Sequence, residues 1–276
     1  MSWWELLLVP LGAAVGGYGT LVGAGGGFVL VPALLLLYPD EDPAAITSIS
    51  LAVVFVNALS GSAAYARLHR IDVRSGLYFA AASLPGAVAG ALLVQYVPRR
   101  AFDVIFGVLL LSIAAYTWWS VGRPQVMRPP LRGRGVVTRV MPGTDEGQVF
   151  RYSFVLWHGM AFAAGIGLLS SLLGIGGGVF HVPVMIAVLR FPVHVAVATS
   201  QFVLAFMSGE GAAVHLATGE LGGENLVRAA LIALGAIPGA QLGARMAQRV
   251  RGTMIARLLV LALVLVGGRL LAAAFV

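Results

Sequence analysis

The chain has 276 residues, of which 59% are hydrophobic and 11% charged, and its mean hydropathy is +0.92. Soluble domains carry about 45–50% apolar and about 25% charged residues, so most of this surface is built to face lipid. There is no Cys and no Lys, all 18 basic residues being Arg, which excludes thiolate metal centres, thiol nucleophiles, a nucleotide-binding P-loop and Schiff-base cofactors.

Apolar runs predict membrane helices at 3–22, 25–38, 45–66, 75–97 and 101–121, and again at 152–173, 176–190, 195–217, 225–247 and 253–276. Most are long enough for a helix rising 1.5 Å per residue to cross about 30 Å of hydrocarbon. The first run lacks the positive leader of a signal peptide and carries Glu5 instead, so it reads as part of the fold. The runs at 25–38 and 176–190 are short, begin on three glycines and contain a Pro, which predicts half-helices or broken spans. Residues 122–151, rich in Arg, Pro and Gly, read as a linker between a first membrane repeat (1–121) and a second (152–276). The Trp3-Trp4 and Trp118-Trp119 pairs fall at segment ends, as interfacial aromatics do.

The two series repeat each other. Gly23-Ala-Gly-Gly-Gly-Phe-Val-Leu-Val-Pro32 matches Gly174-Ile-Gly-Gly-Gly-Val-Phe-His-Val-Pro183 in every Gly and Pro. Thr47-Ser48 pairs with Thr199-Ser200, and Pro85-Gly86-Ala87 with Gly90-Ala91 pairs with Pro238-Gly239-Ala240 with Gly243-Ala244, at spacings of 151 to 153 residues. Loop charge then sets orientation. The loop Arg67–Arg74 carries three Arg, while its counterpart carries Glu220 and Glu224; Asp40-Glu41-Asp42 in one half is answered by Arg190 and His194 in the other. By the positive-inside rule equivalent loops lie on opposite sides. The expectation is an all-α integral membrane protein of two inverted repeats, about five segments each, with the linker cytoplasmic. Arg99 and Arg100 run against this scheme, and re-entrant short segments would lower the count from ten helices to eight.

Few residues are left to carry chemistry. Gly25, Gly26, Gly27 and Gly176, Gly177, Gly178 cost roughly 1 kcal/mol each in a helix interior, and irregular backbone at membrane depth survives only where protein buries it or water reaches it. Such a break frees N–H groups and offers the positive end of the next half-helix to an anion; close packing through small residues is the competing explanation. Thr47, Ser48, Thr199, Ser200 and Gln201 offer uncharged donors, although Thr and Ser also cap helices. Asn57 and Ser60 share a face of the same helix. His181 replaces Leu30 in the second half-helix and is a candidate for anion binding or helix–helix bonding. Glu210, inside an apolar run, is the candidate proton carrier. No His/Asp/Glu spacing resembles a metal site and no nucleophile–base pair is visible, so neither a cofactor nor an enzymatic activity is expected.

The paired GAGGG-FVLVP and GIGGG-VFHVP motifs, the following Thr-Ser and the P-G-A-x-x-G-A segments resemble the TauE/SafE family of membrane permeases, over nearly the whole chain. The resemblance implies transport of a small sulfur-containing anion, such as sulfite or an organosulfonate, driven by ion gradients across the plasma membrane of a prokaryotic cell. The expected partners are the anion, the lipid bilayer and a coupling proton or cation; nucleic acid is not among them, and homo-oligomerisation is left open. An anion channel is the alternative, with a membrane enzyme or assembly factor behind it.

Overall fold

The structure, a computed structural model, describes residues 3–121, 133, 135–142 and 149–274. A turn of 3-10 helix (Trp3–Leu7) leads into α1 (Leu8–Val22), α2 (Gly27–Leu37), α3 (Pro43–Arg67), α4 (Val73–Leu93) and α5 (Arg99–Val121). Two strands follow, β1 (Val136–Pro142) and β2 (Val149–Val155). Then come α6 (Leu156–Leu173), α7 (Gly178–Ala187), α8 (Val193–Ala217), α9 (Gly223–Arg249) and α10 (Gly252–Ala274). Each predicted apolar run is a helix. Local chemistry sets several of the starts: Pro43 occupies the first turn of α3 behind an extended Asp42, and the Asp72 carboxylate caps α4 by accepting the Ser75 N–H at 3.1 Å.

Among the described residues, seven helices have the length and apolarity to cross a membrane, which makes this a multi-pass membrane protein. The 25-residue α8 is not among them, because it carries Thr199, Ser200, Gln201, Ser208, Glu210 and two His. It can be polar because most of those side chains are shielded by protein: Thr199, Ser200, Gln201 and Ser208 are fully buried. The lipid-facing work falls to exposed residues elsewhere, such as Leu234, Leu242, Leu261 and Leu265. Trp118 and Trp119 are exposed at the end of α5; the side chains of Trp3 and Trp4 lie outside the described residues.

The α3 and α8 helices form the centre and run antiparallel. The Ser48 hydroxyl near the start of α3 reaches the Glu220 carbonyl just past the end of α8, while Tyr65 and Arg70 at the other end of α3 lie beside His194 and Val197. Charge divides the two ends of the bundle. One carries Glu41, Glu220, Glu224 and Arg228, with Arg228 bonded to Glu41 at 2.7 Å and to Glu224 at 3.0 Å and stacked on Tyr38. The other carries Arg70, Arg139 and His194 around Asp72 and Val250. We call these the acidic and basic faces.

Small residues seam the outer helices to this centre. On α4, a Cβ at Gly86 or Gly90 would run into the carbonyl oxygen of Ala164 or Leu168 on α6. On α9, Gly239 and Gly243 stand in the same relation to Ala13 and Gly17 on α1. The P-G-A-x-x-G-A segments are therefore close-approach packing surfaces. Both pairs are parallel, since 164 lies by 86 and 168 by 90, just as 13 lies by 239 and 17 by 243.

This geometry sets the direction in which the short helices run. Because α1 runs parallel with α9, it enters from the acidic end; α2 returns there, with Tyr38 beneath Arg228. The α6–α7 pair likewise enters and leaves at the basic end, where Phe191 stacks on Tyr152 at 4.5 Å. In each half the chain therefore turns back at its glycine break, and α2 and α7 are the half-helices that the sequence predicts. Helices of 11 and 10 residues, α2 and α7, rise only about 15–17 Å at 1.5 Å per residue, half of what a crossing needs.

The predicted linker, 122–151, carries most of a β-hairpin. Residues 122–132, 134 and 143–148 lie outside the described residues, but β1 and β2 pair antiparallel from Val136↔Val155 to Pro142↔Val149. Alternating β-branched and aromatic residues (VVTRVMP, VFRYSFV) supply the strands, a pattern hidden by the surrounding Arg, Pro and Gly. The sixth predicted run, starting at 152, thus begins inside a strand. The hairpin docks on the basic face: the Tyr152 hydroxyl donates to Asp72 at 2.9 Å, Arg139 lies 3.4 Å from the same carboxylate, and Phe154 packs on Phe79 and Phe191.

Candidate functional site

The two glycine breaks cross at the middle of the bundle. Gly23, Gly25 and Gly26 hold φ of 78°, 75° and 88°, and Gly174, Gly176 and Gly177 hold 69°, 74° and 81°, left-handed backbone that L side chains rarely adopt. The crossing is too close for side chains. A Cβ on Gly27 would lie 2.7 Å from the Ile175 Cα, and one on Gly178 2.6 Å from the Ala24 Cα. Val54 of α3 and Leu204 of α8 both press on Gly25 and Gly176, so one pair of side chains serves both breaks.

Matched hydrogen bonds hold the breaks in place. The Ser50 hydroxyl donates to the Gly174 carbonyl at 2.6 Å, and the Ser200 hydroxyl donates to the Gly23 carbonyl at 2.9 Å. These bonds pair Ser50 with Ser200, so the equivalent positions on α3 and α8 lie 150 residues apart. The sequence pairing of Thr47-Ser48 with Thr199-Ser200 was two residues out of register. It followed the Thr-Ser identity, whereas the contacts align Thr47-Ser48-Ile49-Ser50 with Val197-Ala198-Thr199-Ser200: Thr47 touches Gly174 as Val197 touches Gly23. The same step makes Ser60 the counterpart of Glu210.

Between the breaks, buried donors are left over. Among the described residues, the N–H groups of Gly26, Gly27, Phe28, Gly177, Gly178 and Val179 make no hydrogen bond. All six are buried first-turn or capping positions, where the helix dipole adds positive potential. Natural proteins pair more than 90% of buried backbone groups, so six unpaired buried donors close together set this crossing apart from the rest of the bundle.

The two sides of the crossing differ chemically. Beside the first break, Asn57 donates to the Gly25 carbonyl at 3.0 Å and to Thr20 at 3.1 Å, Gln201 donates to the Gly19 carbonyl at 3.3 Å, and Tyr65 donates to the Thr20 carbonyl at 2.9 Å. Gly61 lets Thr20 and Gln201 approach one another. Beside the second break the counterparts are Met207, Leu51 and His215, with Gly211 against Leu51 and Ser171. Thr47 Oγ1, Ser170 Oγ, Ser171 Oγ, Gln201 Oε1 and both ring nitrogens of His181 are buried without a hydrogen-bond partner among the described residues.

The predicted site residues therefore separate into groups. The six glycines, Asn57, Ser200 and Gln201 converge on the breaks, with Thr47 against Gly174. Ser48 turns away to the Ala45 and Glu220 carbonyls. Thr199 turns to the basic end, where its hydroxyl accepts the Asp72 N–H at 3.0 Å. His181 is buried in α7. Glu210 is half-buried farther along α8, one oxygen buried without a hydrogen-bond partner among the described residues. Its counterpart Ser60 bonds across to the Ile237 carbonyl of α9. Sequence reasoning missed Ser50, Thr20 and Tyr65 as groups around the breaks. Ser50 was legible in the Thr-Ser-Ile-Ser run, and Thr20 as a polar residue one turn before a glycine break. Nothing local marked Tyr65.

Half-helices meeting in a buried, uncharged polar centre, inside a bundle of helices apolar enough to span a membrane, are the architecture of a membrane transporter. Comparison with known proteins gives the same class. Residues 8–270 match the family described as Sulfite exporter TauE/SafE, and the chain belongs to that family. It is 32% identical to the probable membrane transporter protein YunE of Bacillus subtilis (strain 168), over 96% of this chain and 97% of that one. It is 27% identical to the probable membrane transporter protein MJ0441 of Methanocaldococcus jannaschii, over 89% of this chain and 88% of that one. It is also 28% identical to the probable membrane transporter protein ORF9 of a Sinorhizobium species, over 97% and 92%. No solved structure gives a significant match.

Proposed function

We propose that this protein is a secondary transporter of a small sulfur oxyanion, sulfite or an organosulfonate, and that residues 1–121 and 152–276 are inverted repeats that rock against each other to alternate access. One observation carries the reading: six unpaired, buried N–H groups at the facing N-termini of α2 and α7. Donors so placed suit the oxygens of a small anion. Every side chain described against the breaks is uncharged, so the anion is held by dipoles and hydroxyls and can leave again.

The crossing is closed, with backbone against backbone at Gly27–Ile175 and Gly178–Ala24. Substrate reaches the donors only when the halves part. Gly25, Gly26, Gly27, Gly176, Gly177, Gly178, Asn57, Ser200 and Gln201 would then line the site, with Thr47 and His181 close behind. By the positive-inside rule the basic face, hairpin included, is the cytoplasmic one in a prokaryotic plasma membrane. An inward-negative potential drives anion export; uptake needs a co-transported proton or cation, for which Glu210 is the carrier.

Counterflow tests this reading. Purified protein in liposomes loaded with unlabelled sulfite should accelerate entry of labelled sulfite, thiosulfate or a small sulfonate. Flux indifferent to substrate on the far side would make the protein a channel. Flux of none of these anions, from protein that is folded by thermal melt, would overturn the substrate class.

A further inference from the structure

A crevice opens on the basic face between the end of α3, the start of α8 and the α9–α10 junction. Arg70, His194 and Gln248 line its more exposed part, and the buried Tyr65, Val197, Ala247 and Ile255 form its floor. Its free volume, about 10 Å3, is what a single water needs. The floor is one residue thick. Tyr65 is 3% exposed and its hydroxyl holds the Thr20 carbonyl at 2.9 Å, while a Cβ on Gly23 would lie 2.8 Å from the Val197 Cα. The crevice thus ends against the first glycine break.

The equivalent positions at the opposite end carry other side chains. At the 150-residue step that relates α3 to α8, Arg70 is answered by Glu220, Tyr65 by His215, His194 by Ala44 and Val197 by Thr47. A guanidinium at one mouth stands where a carboxylate stands at the other. His194 is held in place by its Nε2, which lies 3.2 Å from the Val250 carbonyl oxygen, and Gln248 on α9 adds an amide.

We propose that this crevice is the vestibule by which a small oxyanion passes between the basic face and the breaks. Arg70, His194 and Gln248 form a weak outer anion subsite, and Tyr65 is the gate residue, releasing the Thr20 carbonyl as the floor opens. The inference rests on the transport reading above and adds to it a side-specific anion subsite. Positive charge in a narrow, low-dielectric mouth raises the local anion concentration and so lowers the concentration needed to load the site from that side.

The test uses the full-length protein in oriented liposomes, with half-saturation for sulfite measured separately from each face. Arg70→Gln should raise half-saturation at the basic face about fivefold to tenfold, the size of one lost charge contact, and leave half-saturation at the acidic face unchanged. Arg70→Lys should restore it, and Gln248→Ala should shift it in the same direction by less. Half-saturation unchanged in both Arg70→Gln and Gln248→Ala, or shifted equally at both faces, would overturn the vestibule. Wild-type protein that moves no anion at all would instead sink the transport reading, and the vestibule with it.

Discussion

Ser200 on α8 donates its hydroxyl to the carbonyl of Gly23, 2.9 Å away in the break that ends α1. The bond ties a residue of the second half to the irregular backbone of the first, and Ser50 makes the reciprocal tie to Gly174 at 2.6 Å. Neither carbonyl is placed to continue its own helix. The breaks are therefore positioned by the opposite half, and any motion between halves is transmitted to them directly.

Removing one tie leaves a buried carbonyl without its partner, which costs about 1–3 kcal/mol. Ser200→Ala and Ser50→Ala should each lower thermal stability in detergent by that order. Because both bonds secure the same crossing, the double variant should show non-additivity in a double-mutant cycle. Strict additivity would mean that the two breaks move independently.

Gly26 and Gly177 hold φ of 88° and 81°. Alanine there carries about 1–2 kcal/mol of left-handed strain, and its Cβ would also meet Val15 at 2.8 Å or Ser170 at 3.0 Å. Gly26→Ala and Gly177→Ala should destabilise the protein and abolish flux. Gly165→Ala is the control: it is helical, exposed and has nothing within 4 Å, so thermal melts should show it neutral or slightly stabilising.

The hairpin should hold its place to alkaline pH. Burial, and then the negative charge of Asp72, push the Tyr152 hydroxyl well above its ordinary value of 10.0. The folded state keeps this proton longer than the unfolded state does. The contribution is therefore fully present below about pH 10 and is lost as pH climbs past that value. Hydrogen exchange in β1 and β2 should stay constant from pH 7 to 9, on a scale corrected for intrinsic rates, and quicken above about pH 10. Tyr152→Phe should loosen the hairpin at every pH and remove the alkaline step.

Glu210 has no ionic partner among the described residues. As the proton carrier proposed above, it would make uptake depend on an inward proton gradient. Glu210→Gln should cut gradient-driven uptake at least about tenfold, the scale of losing one proton-transfer group, while counterflow at equal pH continues. Gradient-driven uptake unchanged in the variant removes Glu210 from coupling.

Much of the fold was legible because its causes are local. Low charge and high hydropathy demand lipid as solvent, whatever the arrangement. Three consecutive glycines before a Pro-containing apolar run cannot continue a helix, and both breaks stand at those glycines. The hairpin escaped notice because its alternation, Val-Val-Thr-Arg-Val-Met and Val-Phe-Arg-Tyr-Ser-Phe, is only seven residues long on each side and sits among Arg, Pro and Gly. Its stability comes from docking: Tyr152 on Asp72, and Phe154 against Phe79 and Phe191.

What the sequence alone determined about this protein was its solvent, its helices and the location of the two breaks, since these follow from composition and from conformational cost residue by residue. What only the tertiary structure decided was which residues meet. It paired Ser50 with Ser200 where identity paired Ser48 with Ser200, turned Thr199 toward Asp72, made the P-G-A-x-x-G-A segments into packing seams, and folded α1 with α2 back to one face. The reason is physical. A two-residue shift along a helix rotates a side chain by about 200° at 3.6 residues per turn, so the choice between facing a break and facing away is made by packing against another helix.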